Sequence, residues 1–166
     1  VPSSVNGAVA LVTGPLTLHN SATVLDTATN ALSGNMSSLT GTMTVDTTAP
    51  TISSIAVASN NNTTTLAKEG NTITFKVAFS EAVVLSNASD VKVPFKIAGG
   101  TTLYAIAAAA NTATINGTAH AINFTYTVPS SVNGAVALVT GPLTLHNSAT
   151  VLDTATNALS GNMSSL

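Results

Sequence analysis

Two stretches of this chain are the same. Residues 1–39, VPSSVNGAVALVTGPLTLHNSATVLDTATNALSGNMSSL, return unchanged as residues 128–166, with all 39 positions identical at an offset of 127. Chance does not produce such a match. The chain therefore reads as one unit of about 127 residues joined to a second copy of 39 of them. Self-similarity at a fixed period is the mark of repeat architectures, and a unit of this length has the size of one domain. Between an artificial duplication and a window on a tandem array, the array is preferred: the unit is domain-sized, and Val1 falls in mid-unit.

The boundary between units is placed at about 46/47, in the segment VDTTAPT (Val45 to Thr51). Pro50 fixes its own φ, lacks an N–H and holds Ala49 extended, as suits a linker. Residues 1–46 are then the C-terminal strands of a preceding repeat, and residues 47–166 supply most of the next. In residues 36–46, MSSLTGTMTVD reads as a last strand with Met43 and Val45 on one face. The second copy reaches only Leu166, so the 47–166 repeat is expected to lack the end of its final strand, the equivalent of TGTMTVD (residues 40–46).

Within the repeat the hydrophobic period is two, the signal of half-buried strands. In NTITFKVAF, Ile73, Phe75, Val77 and Phe79 face one way. In VKVPFKI, Val91, Val93, Phe95 and Ile97 face inward, and Pro94, read as outward, predicts an edge strand or a bulge. HAINFTYTV places Ile122, Phe124, Tyr126 and Val128 on one face, and GAVALVTGPLTL offers Val136, Leu138, Leu143 and Leu145. Turn signals separate these runs at Asn60–Asn62, Glu69-Gly70-Asn71, Gly99-Gly100, Asn116-Gly117 and Asn133-Gly134. Ala105–Ala110, the one stretch of helical composition, is read as a strand end or a single turn. The pattern predicts an all-β fold, an antiparallel β-sandwich of about 7–8 strands.

Composition matters for what it excludes. There are ten charged side chains in 166 residues, against 28 Thr, 18 Ser and 16 Asn. Thr favours strands through its branched Cβ and meets water through its hydroxyl, which suits the outer faces of sheets with little charge. Four scattered Lys and a net charge of −2 give no footprint for nucleic acid. No run of 18 apolar residues could cross a membrane as a helix, and no basic N-terminus precedes an apolar stretch in this window. A mean hydropathy of +0.43 argues against disorder. With no Cys there are no disulfides, thiolate ligands or thiol nucleophiles.

The order of segments resembles a known class. VDTTAPT, a strand, a strand ending in FSEAV, then VKVPFKIAGGTTLYA, INFTYTVP, NGAVAL and a late Asp153-Thr154-Ala155-Thr156-Asn157 together look like the bacterial immunoglobulin-like tandem repeats of giant surface and secreted adhesin-type proteins. They are similar to repeats of cyanobacterial swimming-associated surface proteins. The likeness covers residues 45–166. The late motif departs from the family pattern Asp-Ala-Ala-Gly-Asn in having Thr156 where Gly stands. The resemblance implies an immunoglobulin-like sandwich, an extracellular or cell-surface location, serial domains, and adhesive or spacer roles. It also implies that Ca²⁺ stiffens the junction between domains.

The carboxylates are the only candidate chemistry. Ca²⁺ takes six to eight oxygen ligands. Asp46 in the linker, Glu81, and Asp153 or its copy Asp26, all placed in loops, are the residues named for such a site, with backbone and Asn carbonyls completing it. The competing reading is that these Asp residues form turns. His19, His120 and His146 show no metal-ligand spacing, and His120 is read as exposed. No nucleophile elbow, phosphate loop or acid–base pair stands out, so no enzymatic role is expected.

The function expected is a structural repeat of a long extracellular array, a stalk, fibre or sheath-like spacer whose partners are neighbouring copies of itself. Two alternatives stand beside it. One is a filament subunit that polymerises by strand donation between chains. The other is a ligand- or glycan-binding adhesive module, which would need a cluster of exposed aromatic side chains.

Overall fold

A computed structural model describes residues 5–38, 40–108 and 120–164. The Ala109–Ala110 end of the alanine stretch and the Asn116-Gly117 turn lie outside the described residues. The chain divides into two compact units, Val1–Thr47 and Thr48–Leu166.

In the first unit, β1 (Gly7–Ala8) pairs antiparallel with β2 (Thr44–Val45), with Gly7 opposite Val45 and Ala8 opposite Thr44. The pairing extends through the Val9 N–H to the Met43 carbonyl, and the Asn6 side-chain carbonyl accepts from the Thr47 N–H. Isolated bridges, Gly14 to Met36 and Leu25 to Ala31, tie the intervening loops.

The second unit is all-β, and among the described residues its strands pair antiparallel, with one isolated parallel bridge from Thr51 to Ser160. Its main sheet has seven strands: β3 (Ile52–Ser59), β4 (Thr72–Phe79), β6 (Val91–Ile97), β7 (Leu103–Ala107), β8 (Ala121–Thr127), β9 (Val136–Leu138) and β10 (Thr144–Leu145). Their order is β10-β6-β7-β8-β4-β3, and β9 pairs with β6 beside β10. A small second sheet joins β5 (Val84–Leu85) to β11 (Val151–Leu152). The period-two pattern sets which face is buried. Ile73, Phe75, Val77 and Phe79 of β4 are all buried, as are Val91, Val93 and Phe95 of β6 and Ile122 and Phe124 of β8. Phe75 and Phe95 meet with ring centroids 4.9 Å apart, and Tyr126 stands edge-on to Phe95 at 5.0 Å. Strands β7 and β8 separate β4 from β6, which in a flat sheet would stand about 14 Å apart at the usual strand spacing. The sheet therefore curls until its inner face closes on itself, as in a sandwich.

Three local expectations change. Pro94 is buried and sits in an interior strand, flanked by β7 on one side and by β9 and β10 on the other. Its carbonyl accepts the Val139 N–H. Lacking an N–H, it cannot return the reciprocal bond to Val139, and just there the pairing of β6 passes from β9 to β10 with a shift of register. Leu145 does not join the core but is 46% exposed, while Leu143 is buried. His120 is half-buried, and its Nδ1 is buried with no hydrogen-bond partner.

The repeated segment adopts the same local geometry in both units. The bridges Gly14–Met36 and Leu25–Ala31 recur as Gly141–Met163 and Leu152–Ala158. Burial differs: Val24 is 41% exposed and its copy Val151 is 2% exposed. We expect Val151→Ala to destabilise the protein by about 2 kcal/mol. Val24→Ala, the same change in the same sequence context, should stay within about 0.5 kcal/mol. Chemical denaturation of the two variants measures both.

Candidate functional site

The late Asp motif folds as a closed turn. Asp153 follows β11; its Oδ1 accepts the Asn157 N–H at 2.7 Å and its Oδ2 accepts from the Asn157 side-chain amide at 2.8 Å. The Asp153 N–H reaches the Asn157 carbonyl, and the Thr156 N–H reaches the Asp153 carbonyl. Such side-chain-to-backbone bonds are what fit Asp to turns. Thr156 takes the left-handed φ of 71° that glycine would adopt without strain, so the turn closes on Thr at a conformational cost.

Asp26 repeats this turn in the first unit. It accepts from the Ala28 N–H at 2.9 Å, the Asn30 N–H at 2.8 Å and the Asn30 amide at 2.9 Å, with Thr29 at a φ of 67°. The Asn30 side-chain bond first, then the backbone bonds from Asn30 and Ala28, hold its carboxyl below the usual carboxylate range. Asp26 is exposed, whereas Asp153 is 3% exposed and is the one charged side chain among the described residues that is buried.

In the second unit Glu81 comes to Asp153. Glu81 follows β4 in a turn held by Ser80, which exchanges hydrogen bonds with Thr51. A carboxylate oxygen of Glu81 lies within 4.8 Å of one on Asp153. Two like charges at that separation repel, and a cation between them relieves the repulsion. The donors are hard oxygens, the type Ca²⁺ prefers, and two carboxylates supply up to four of its six to eight ligands. Each Asp153 oxygen that accepts from Asn157 keeps a second lone pair. Asp46 and Asp26 belong to the first unit, Asp46 directly after β2.

A second feature of this unit escaped the sequence reading. A groove of about 500 Å³ is bordered by the end of β3, the loop Thr64–Ala67 and the segment Val132–Val136, with Val57, Ile73, Ile97 and Val128 in its walls. The aromatic side chains, by contrast, make no exposed cluster among the described residues: Tyr104 is 41% exposed, and the four Phe are buried. No helix among the described residues is long and apolar enough to cross a membrane. Comparison with protein-family models, with curated proteins and with solved structures returns no match.

Two outcomes are expected. The Asp26 carboxyl, followed by NMR, should titrate below its ordinary value of 3.8, and Asn30→Ala should return it towards that value. Because the folded pKa is the lower one, the stabilisation from this turn is present above the unfolded pKa and is lost as pH falls through the folded one. Thr156→Gly, which removes the Cβ from a left-handed position, should stabilise the protein by about 1 kcal/mol in thermal or urea unfolding.

Proposed function

We propose that this chain is part of a long extracellular bacterial surface array, built from immunoglobulin-like repeats that serve as stalk, fibre or sheath-like spacer. The observation that carries the reading is the repeated 39-residue segment, which closes the same turns and bridges in two different surroundings. Turns closed by their own hydrogen bonds let each repeat form without instruction from distant parts of a chain, and serial arrays depend on that property. Surfaces of Thr, Ser and Asn with few charges allow neighbouring fibres to pack side by side without strong mutual repulsion. A lone exposed aromatic, Tyr104, gives little support to a glycan-binding module.

The test is length. Chains carrying one, two and four tandem copies of the 127-residue unit should gain a constant increment in maximum dimension by small-angle scattering. Antibodies against the repeat should label intact cells. A maximum dimension that stops growing with copy number, or a repeat reached only after lysis, overturns the proposal.

A calcium role within this function rests on one observation, the closeness of Glu81 to the buried Asp153. In this proposal the ion bridges the two carboxylates and pins the turn after β4 to the turn after β11. Calcium at a hundredfold excess over its dissociation constant should stabilise the unit by about 2.7 kcal/mol. The gain should vanish with EDTA and in Glu81→Gln, and Asp46→Asn reports on the linker carboxylate named from the sequence. Unfolding curves that coincide with calcium and with EDTA rule the ion out.

A further inference from the structure

The groove beside Val132–Val136 has a defined occupant. These residues repeat Val5–Val9 without change, and in the first unit Val5–Val9 carries a partner strand. There Gly7 lies opposite Val45, Ala8 opposite Thr44, and the Val9 N–H bonds the Met43 carbonyl. In the second unit the copies Gly134 and Val136 border the groove.

The parity of the strand agrees. Ala135 bonds towards β6, accepting the Ala98 N–H, and Val139 donates to Pro94 on the same side. Along an antiparallel strand the backbone groups of alternate residues point to opposite edges. The groups of Gly134 and Val136 therefore point away from β6, into the groove. Their copies Gly7 and Val9 are the residues that bond Val45 and Met43. Among the described residues β9 has no ladder partner besides β6. Gly134 also shows how tightly the β6 side is closed, since a Cβ there would collide with Ala98.

The side chains match as well. Residues directly opposite in an antiparallel pair point to one face. Val136 packs against the core, so the residues set opposite Val136 and Gly134 turn inward. In the register of the first unit these are Met43 and Val45, and the groove they would enter is walled by Ile73, Ile97 and Val128. In the first unit Met43 is 64% exposed, so transfer of the strand to the groove buries apolar surface that is otherwise in water.

We propose that the groove is the seat of a strand with the sequence of Thr40–Asp46, contributed by a second molecule of this chain, with Val45 opposite Gly134 and Met43 opposite Val136. The donated strand closes the edge left open at β9. This inference goes beyond the array reading and stands without it, because it concerns only what fills this groove.

The experiment uses the full chain and a synthetic peptide, SLTGTMTVDTT, of the sequence of residues 38–48. The peptide should shift the amide resonances of Gly134 and Val136 and raise the thermal midpoint of the protein. Peptides with Met43→Asp or Val45→Asp, or N-methylated at the Val45 position, should lose at least tenfold in affinity. Thr44→Lys, on the outward face, should change affinity less than threefold. The chain alone should associate with rising concentration in sedimentation, and excess peptide should reverse it. A peptide that leaves Gly134 and Val136 unmoved overturns the seat. Equal loss from the inward and outward substitutions overturns the register. A chain that stays monomeric at every concentration overturns donation between molecules.

Discussion

The second unit depends on the contact between Phe75 and Phe95. The two rings touch at 4.9 Å although their strands are separated in the sheet by two others. Only a strongly curled sheet permits this. The natural right-handed twist of strands inclines a sheet to curl, and burial of an apolar face free of charge drives it further. Phe124 and Ile122 from β8 fill the space the curl encloses, and Tyr126 seals one end against Phe95. The turn after β4 carries Glu81 and the turn after β11 carries Asp153, and the antiparallel pairing of β5 with β11 in the small second sheet brings the two carboxylates together.

A curled sheet that does not complete its circuit leaves two free edges. Among the described residues these are β3 at one end and β9 with β10 at the other, and the apolar groove is lined by β3, the loop Thr64–Ala67 and the segment Val132–Val136. Unpaired edges present rows of donors and acceptors that invite another strand. The first unit shows, in identical sequence, how that row is satisfied: by a short strand bearing Met43 and Val45.

The strand pattern was legible because alternation is a local property. The inward sets of β4 and β8 could be read residue by residue, and the buried faces follow them. Pro94 was read as outward and on an edge strand or at a bulge; it is buried in an interior strand, but the register of β6 does shift beside it between β9 and β10, and which neighbours a strand has is not shown by the local sequence. Leu145 was misread because β10 is only two residues long and the alternation behind it is interrupted by Gly141-Pro142. For the candidate site, Asp153 and Glu81 were named from their place in loops. Their approach to one another is a product of the pairing of β5 with β11, a long-range contact the local sequence does not show.

The duplicated 39 residues separate the two kinds of information. In both copies the sequence by itself determined the turns: the Asp-to-Asn hydrogen bonds, the left-handed Thr29 and Thr156, and the same pairs of bridged residues. These interactions span four to about twenty residues, so their instructions travel with the segment. Burial did not travel with it. Val24 and Val151 are the same residue in the same stretch, one in water and the other in the core. Only the tertiary structure decided which, because an apolar side chain leaves water when another surface covers it, and Val151 pairs with Leu85 of β5 and joins the core, whose Phe75, Phe95 and Phe124 lie outside the repeated sequence.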